Sequence, residues 1–309
     1  MKKLLKKQIS KLVSILVLTL STTSCNYLDV IPDNIPTIDM AFADRAAAEK
    51  YLFTCYSYLP NFYHPDNDPA MLGSGEIHIF DGGGIDRVNM GLITGNQNIN
   101  NPICGYWDGT NRGTNLFIGI RDCNTFLEKV WGVYNMTDAE KKLWVAEIKA
   151  LKAYYYFELL RHYGPFVVMD ENIDPGVPVE DMKKERSPVD VCVEEIVSLL
   201  DEAMKDLPLM KDKERSRWAY HSLESAAALK AMTLFYAASP LFNGNPAYSG
   251  FVNSKGEKLF SQQKDPEKWR YAAEAVDSAL LICNRGGKYL ISSESDKITD
   301  RIKDIEASA

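Results

Sequence analysis

Hydrophobic positions recur at helical spacing along most of the chain. The clearest stretch is Thr137–Tyr163. There Trp144, Ile148, Leu151, Tyr155 and Leu159 fall at i, i+4, i+7, i+11 and i+15, one stripe of a 3.6-residue helix. Thr137 with Glu140 three residues on predicts a capping box, and Gly164-Pro165 ends the helix. Five further helices are predicted. Ala41, Phe42, Ala48, Leu52 and Tyr56 line one face of 39–59, with Asp44 or Asp39 near its start. Leu116, Ile120, Cys123 and Leu127 stripe 114–131. Ser187 is expected to cap a helix that has Pro188 at its first position and runs to about Leu207. A fourth, 220–239, stops at Pro240. A last helix starts at Asp265-Pro266, runs through Asn284 and closes at Gly286-Gly287. Tyr154-Tyr155-Tyr156-Phe157 covers all sides of a helix, so this segment reads as core.

Two stretches break the pattern. Residues 60–113 are rich in Gly, Asn, Asp and aromatics, with a short strand expected at 76–80 before the DGGG break. A loop of this length inside a compact chain points to function. Residues 241–262, with Tyr248 and Phe251, form a second loop.

The helices carry a degenerate repeat signal. Ala153, Phe157, Leu160 and Pro165 match the second helix of a tetratricopeptide unit, and Ala231, Phe235 and Ala238 repeat most of it. Trp269, Ala272, Ala273 and Val276 match first-helix spacing. The predicted fold class is mainly α: irregular tetratricopeptide-like helical repeats with long loop insertions.

The start of the chain reads differently. Five lysines precede the apolar run Leu12–Leu20, which is too short for a span and has the order of an export signal. Thr22-Thr23-Ser24-Cys25 resembles a lipobox, although Thr22 replaces the usual Leu, and it marks Cys25 for lipidation. Residues 1–24 are thus an expected lipoprotein signal peptide, 25–38 an extended tether and 39–309 the helical domain. Composition then excludes disordered, fibrous and multi-pass membrane classes, since 46% of residues are hydrophobic and 25% charged. Residues 1–24 hold five lysines and no acid. The remainder therefore has 30 basic and 42 acidic side chains, about −12 net against −7 for the whole chain. An acidic body argues against a nucleic-acid partner. Six cysteines occur without any CxxC pair, so buried thiols are the better reading for most of them, and disulfide pairing is not legible.

Several ordered blocks together resemble the SusD/RagB family of outer-membrane nutrient-binding lipoproteins of Bacteroidetes. They are Cys25-Asn26-Tyr27-Leu28-Asp29, Ile120-Arg121-Asp122-Cys123-Asn124 and the segment 146–168 (AEIKALKAYYYFELLRHYGPFVV). The segments 186–208, 228–245 and 269–280 follow in the family's order. The resemblance implies a helical fold with a loop-rich ligand face. It implies capture of oligo- or polysaccharide at the cell surface, with delivery to a SusC-like TonB-dependent transporter and a lipid anchor in the outer membrane. It also implies a longer chain, whose second part completes the ligand face and is absent from these 309 residues.

No GxSxG, HExxH or Walker motif is present, no zinc spacing occurs, and the four histidines are scattered. No enzyme, metal or cofactor is expected. A sugar site needs flat aromatic rings for pyranose C–H faces and planar polar groups for hydroxyls. The 60–113 loop supplies both, with Tyr63, Asp81, Arg87, Asn101, Tyr106 and Trp107 as candidate ligand residues. The resemblance points to Tyr106 and Trp107 in particular, because family aromatics often sit just before the Ile-x-x-Cys-Asn helix. A repeat scaffold with no ligand face and an exported glycoside hydrolase are the competing classes.

Overall fold

The computed structural model describes residues 37–62, 68–76, 91–92, 94–98, 100, 102–111 and 113–287. The expected export signal, Cys25, and all but the last two residues of the expected tether lie outside them. So do Tyr63, Asp81, Arg87, Asn101 and four of the five residues of the expected strand. The fold is mainly helical. Among the described residues only two isolated bridges occur, Asn243–Ser261 and Val252–Lys258.

After a 3-10 turn, Ile38–Phe42, six longer helices follow: α1 (Arg45–Tyr56), α2 (Leu116–Lys129), α3 (Asp138–Tyr163), α4 (Val189–Ala203), α5 (Leu223–Ala238) and α6 (Glu267–Arg285). Short helical turns, Pro69–Gly73 and Val179–Met182, lie in the connections. Local chemistry sets the starts. The Asp44 carboxylate accepts the Ala47 N–H at 2.8 Å, Asn115 accepts that of Ile118 at 3.1 Å, and Thr137 and Glu140 form the expected capping box. Ser222 and Ser225 form another at α5. One expectation is corrected. Ser187 does not cap α4, whose N-cap is Pro188 with no side-chain bond. The Ser187 N–H instead donates to the Phe166 carbonyl at 2.8 Å and ties the entry of α4 to the segment after α3.

The helices pack in chain order: α1 on α2, α2 on α3, α3 on α4, α4 on α5 and α5 on α6. This is the neighbour-to-neighbour arrangement of helical repeats. α3 is the centre. All five stripe residues from Trp144 to Leu159 are buried, as are Tyr155, Tyr156 and Phe157. Each fully buried apolar side chain of this kind stabilises the fold by about 1.5–3 kcal/mol. Where α2 crosses α3, Gly119 allows contact that a methyl would block. A Cβ there would meet the Tyr155 ring at 2.9 Å and Tyr58 at 3.0 Å.

The repeat-like positions divide by depth. Ala153, Phe157 and Leu160 are buried in the core, and Ala231, Ala238 and Ala272 pack between helices. Phe235 and Trp269 instead meet edge-to-face at 5.5 Å on the outer side of α5 and α6, both exposed. The polar loop after α4 is held by charge. Glu147 of α3, fully buried, is paired by Arg217 and lies 3.8 Å from Lys213. Of the five described cysteines, four are buried and Cys283 is partly exposed; Cys55, Cys123, Cys192 and Cys283 are free thiols.

Candidate functional site

The candidate site begins with a tight loop before α2. The Cys104 N–H donates to the Asn111 carbonyl at 3.2 Å, and the Gly105 N–H to that of Thr110 at 3.0 Å. The Gly109 N–H returns to the Gly105 carbonyl at 2.8 Å. Asp108 Oδ1 accepts from both the Thr110 N–H (3.0 Å) and hydroxyl (2.7 Å), and those bonds draw the Asp108 pKa below its ordinary value. Cys104 (φ 53) and Asn111 (φ 46) both adopt left-handed backbone, an uncommon conformation for residues with a side chain. Such conformations persist where surrounding bonds over-determine them. The loop closes on itself at Gly113, where an added Cβ would lie 2.2 Å from the Gly105 carbonyl carbon and oxygen.

This loop separates the two aromatics that the sequence pairs. Tyr106 turns inward and is 3% exposed. Its ring meets His162 at 4.7 Å and Phe62 at 6.1 Å, both edge-to-face, and burial pushes its hydroxyl pKa up. Tyr106 is thus a core ring and offers no open face, contrary to its expected place as a ligand contact. Trp107 is half-buried. Its backbone N–H donates to the Tyr163 hydroxyl at 3.2 Å, and its indole meets Phe117 at 4.8 Å and Tyr163 at 5.5 Å, both edge-to-face. The Arg186 guanidinium lies over the indole, 4.6 Å from the ring centroid. Arg186 is itself anchored, donating to the Tyr163 carbonyl at 3.4 Å and that of Pro165 at 3.3 Å.

Trp107 stands on the wall of a cleft of about 380 Å³, within the usual range for small-ligand sites. α2 supplies Phe117, Ile120, Arg121 and Asn124, which share one face of the helix by their spacing of three and four. The segment after α3 supplies Val167, Met169, Asn172 and Ile173, and the turn before α4 supplies Met182 and Lys184. Hydrogen bonds fix these walls. The Tyr156 hydroxyl accepts from the Met169 N–H and donates to its carbonyl, both at 2.9 Å. Asn124 Nδ2 donates to the same carbonyl at 3.0 Å. Asn172 Nδ2 donates to the Arg121 carbonyl at 3.1 Å and to Thr125 Oγ1 at 2.8 Å. Asn124 is 5% exposed, and its Oδ1 has no hydrogen-bond partner. A buried acceptor left unpaired is costly, so a donor from outside the protein is favoured at this wall.

Of the two expected ligand residues that the structure describes, Trp107 lines this cleft and Tyr106 does not. Arg121, Asn124, Asn172 and Lys184 were not singled out. The legible signal was present for two of them: Arg121 and Asn124 lie three apart in the Ile-Arg-Asp-Cys-Asn block, on the helix that directly follows Trp107. A second aromatic hollow of about 550 Å³ includes Tyr56, Tyr154, Trp218, Tyr220 and His221. Tyr248, in the second loop, stacks on Phe260 at 4.4 Å, and Phe251 meets the same ring at 6.0 Å. His162 has Nδ1 2.8 Å from the Glu158 carbonyl. The described residues hold no group of His, Cys, Asp and Glu that fits a metal ion, and none of their helices is long and apolar enough to cross a membrane.

The comparisons with known proteins agree with this architecture. Residues 93–236 match the SusD-like family profile described as starch-binding associating with outer membrane. That range contains Trp107 and every other residue lining the cleft. Among solved structures, the protein BT4246 superposes with a TM-score of 0.69 at 25% identity, covering 86% of this chain and 48% of its own. A laminarin-binding SusD-like protein superposes at 0.53 and 22% identity, covering 64% of this chain and 41% of its own. A SusD-like carbohydrate-binding protein of Bacteroides fragilis NCTC 9343 does so at 0.57 and 16%, covering 81% and 42%. No curated protein matches the chain by sequence. The chain spans about half or less of the length of these solved structures. Its helices pack in repeat order, and the stretch that encloses the cleft is similar to the SusD-like family.

Proposed function

We propose that this chain binds oligo- or polysaccharide at the cell surface. In this reading it is a lipoprotein anchored in the outer membrane through Cys25, and it passes its ligand to a SusC-like TonB-dependent transporter. The observation that carries the reading is Trp107, held half-buried by its loop on the wall of a cleft that mixes apolar and amide side chains. An indole supports the C–H face of a pyranose ring, and Asn124 and Asn172 are suited to its hydroxyls. The family profile's description, starch-binding associating with outer membrane, supports the same class of ligand and the same location. Tyr63, Asp81, Arg87 and Asn101 are further proposed contacts. The role is capture without catalysis, in keeping with a described lining of apolar, amide and basic side chains.

Calorimetric titration against a panel of neutral and charged oligosaccharides tests this. Binding of at least one member is expected. Trp107→Ala should weaken it by about ten- to thirtyfold, the effect of losing an aromatic anchor worth ~1–2 kcal/mol. Unchanged affinity in a folded Trp107→Ala variant would remove the indole from the site.

A further inference from the structure

The cleft differs in charge from the protein around it. The whole chain carries a formal charge of −7. Yet among the described residues the ionisable side chains that line the cleft are Arg121 and Lys184, and no described Asp or Glu lines it. A third cation, Arg186, lies on the indole of Trp107. None of the three forms an ion pair among the described residues. Other surface cations do: Lys149 pairs with Glu202, Lys230 with Asp201, Lys268 with Asp190 and Arg270 with Glu267 and Glu274. The acids nearest in sequence are engaged elsewhere or point away. Asp122, beside Arg121, accepts the hydroxyls of Tyr51 and Tyr58 at 3.2 and 2.8 Å. Glu185, beside Lys184, accepts the Ser254 N–H at 2.8 Å and its hydroxyl.

Unpaired cations collected in an acidic protein make a local positive potential, and the ligand that relieves it is an anion. Two amides, with Asn124 Oδ1 still lacking a donor, and an aromatic ring beside these cations describe a sugar that also bears negative charge. Resting on the saccharide reading above, we propose that the cleft takes an acidic saccharide, a pyranose carrying a carboxylate or a sulfate ester. Arg121 and Lys184 face the charged substituent, Trp107 carries the ring, and Asn124 and Asn172 meet hydroxyls. Arginine also suits the planar, two-oxygen edge of a carboxylate.

The test is calorimetry with a galacturonic acid trimer, a sulfated carrageenan tetrasaccharide, maltotriose and laminaritriose, at low and high sodium chloride. At least one acidic probe should bind about tenfold more tightly than the neutral ones, as two or three exposed charge contacts of up to about fivefold each permit. The preference should shrink at high salt through screening. Which acidic probe gains identifies carboxylate or sulfate. In Arg121→Gln/Lys184→Gln the ratio of acidic to neutral affinity should collapse toward one. A ratio near one in the unaltered protein, with Trp107-dependent binding of neutral sugars, overturns the acidic-ligand inference and leaves the saccharide reading standing. A high ratio that survives the double substitution also overturns it, because the charge is then read elsewhere. Failure to bind any of the four probes, or any other member of the oligosaccharide panel, overturns the saccharide reading itself, and the inference falls with it.

Discussion

At the scale of single residues, burial decides what a polar group does here. His221 lies against the rings of Tyr56 and Tyr154, at 6.3 and 6.4 Å, with Nδ1 3.3 Å from Ser225 Oγ. Burial lowers its pKa to about 4, and the ammonium of Lys213 adds to the effect. An unfolded histidine titrates near ~6.5, so the unfolded chain takes up the proton first as pH falls. The native state is therefore fully favoured above about pH 6.5, loses stability between there and about 4, and levels off below. Glu147 and Glu158, whose carboxyl pKa values burial raises, act in the opposite direction. The clean measurement is a difference: melting temperature against pH for the protein and for His221→Gln, where the variant should lose less stability across that window. The sequence singles out Trp107 through the resemblance, as an aromatic just before the Ile-x-x-Cys-Asn helix. It could not separate Trp107 from Tyr106. Adjacent aromatics in a loop take opposite fates only when the loop's turn is known, and this turn depends on the Cys104–Asn111 and Gly105–Thr110 pairings.

At the scale of elements, helices were legible and the cleft was not. The stripe of α3, its capping box and its Gly164-Pro165 stop are all encoded within a few residues, and each is present in the structure. Even the misplaced cap at Ser187 is off by one residue, since the N-cap is Pro188 and the Ser187 N–H is tied to the Phe166 carbonyl. The cleft combines α2, the segment after α3 and the turn before α4, which are separated by up to 77 positions between Trp107 and Lys184. No local pattern records that juxtaposition. The loop before α2 gives a prediction of its own. Gly113→Ala places a methyl against the Gly105 backbone, and backbone cannot swing aside as a side chain does. Overpacking of this kind costs about 1–3 kcal/mol. Chemical denaturation should show that loss, and saccharide affinity should fall with it, since Trp107 is carried on the same loop. Retained stability and affinity would mean that the loop opens at no cost.

At the scale of the whole molecule, two global quantities changed meaning once coordinates were assigned. Net charge argues against a nucleic-acid partner, yet it conceals a cleft whose described lining has the opposite sign, because a sum over 309 residues has no position. Cysteine number was equally blind, and geometry resolved it. Cys55, Cys104, Cys123 and Cys192 are buried, and Cys55, Cys123, Cys192 and Cys283 stay unlinked. A protein stabilised by cross-links would melt at a lower temperature in reductant, whereas this one should show the same melting temperature with and without dithiothreitol. A drop of several degrees would reveal a bridge. The thiols thus separate folding from export. The helical body needs no oxidising enzyme and no compartment with disulfide chemistry. It should assemble as readily in a reducing compartment as in an oxidising one, and export of the kind proposed above would place no redox demand on its native state.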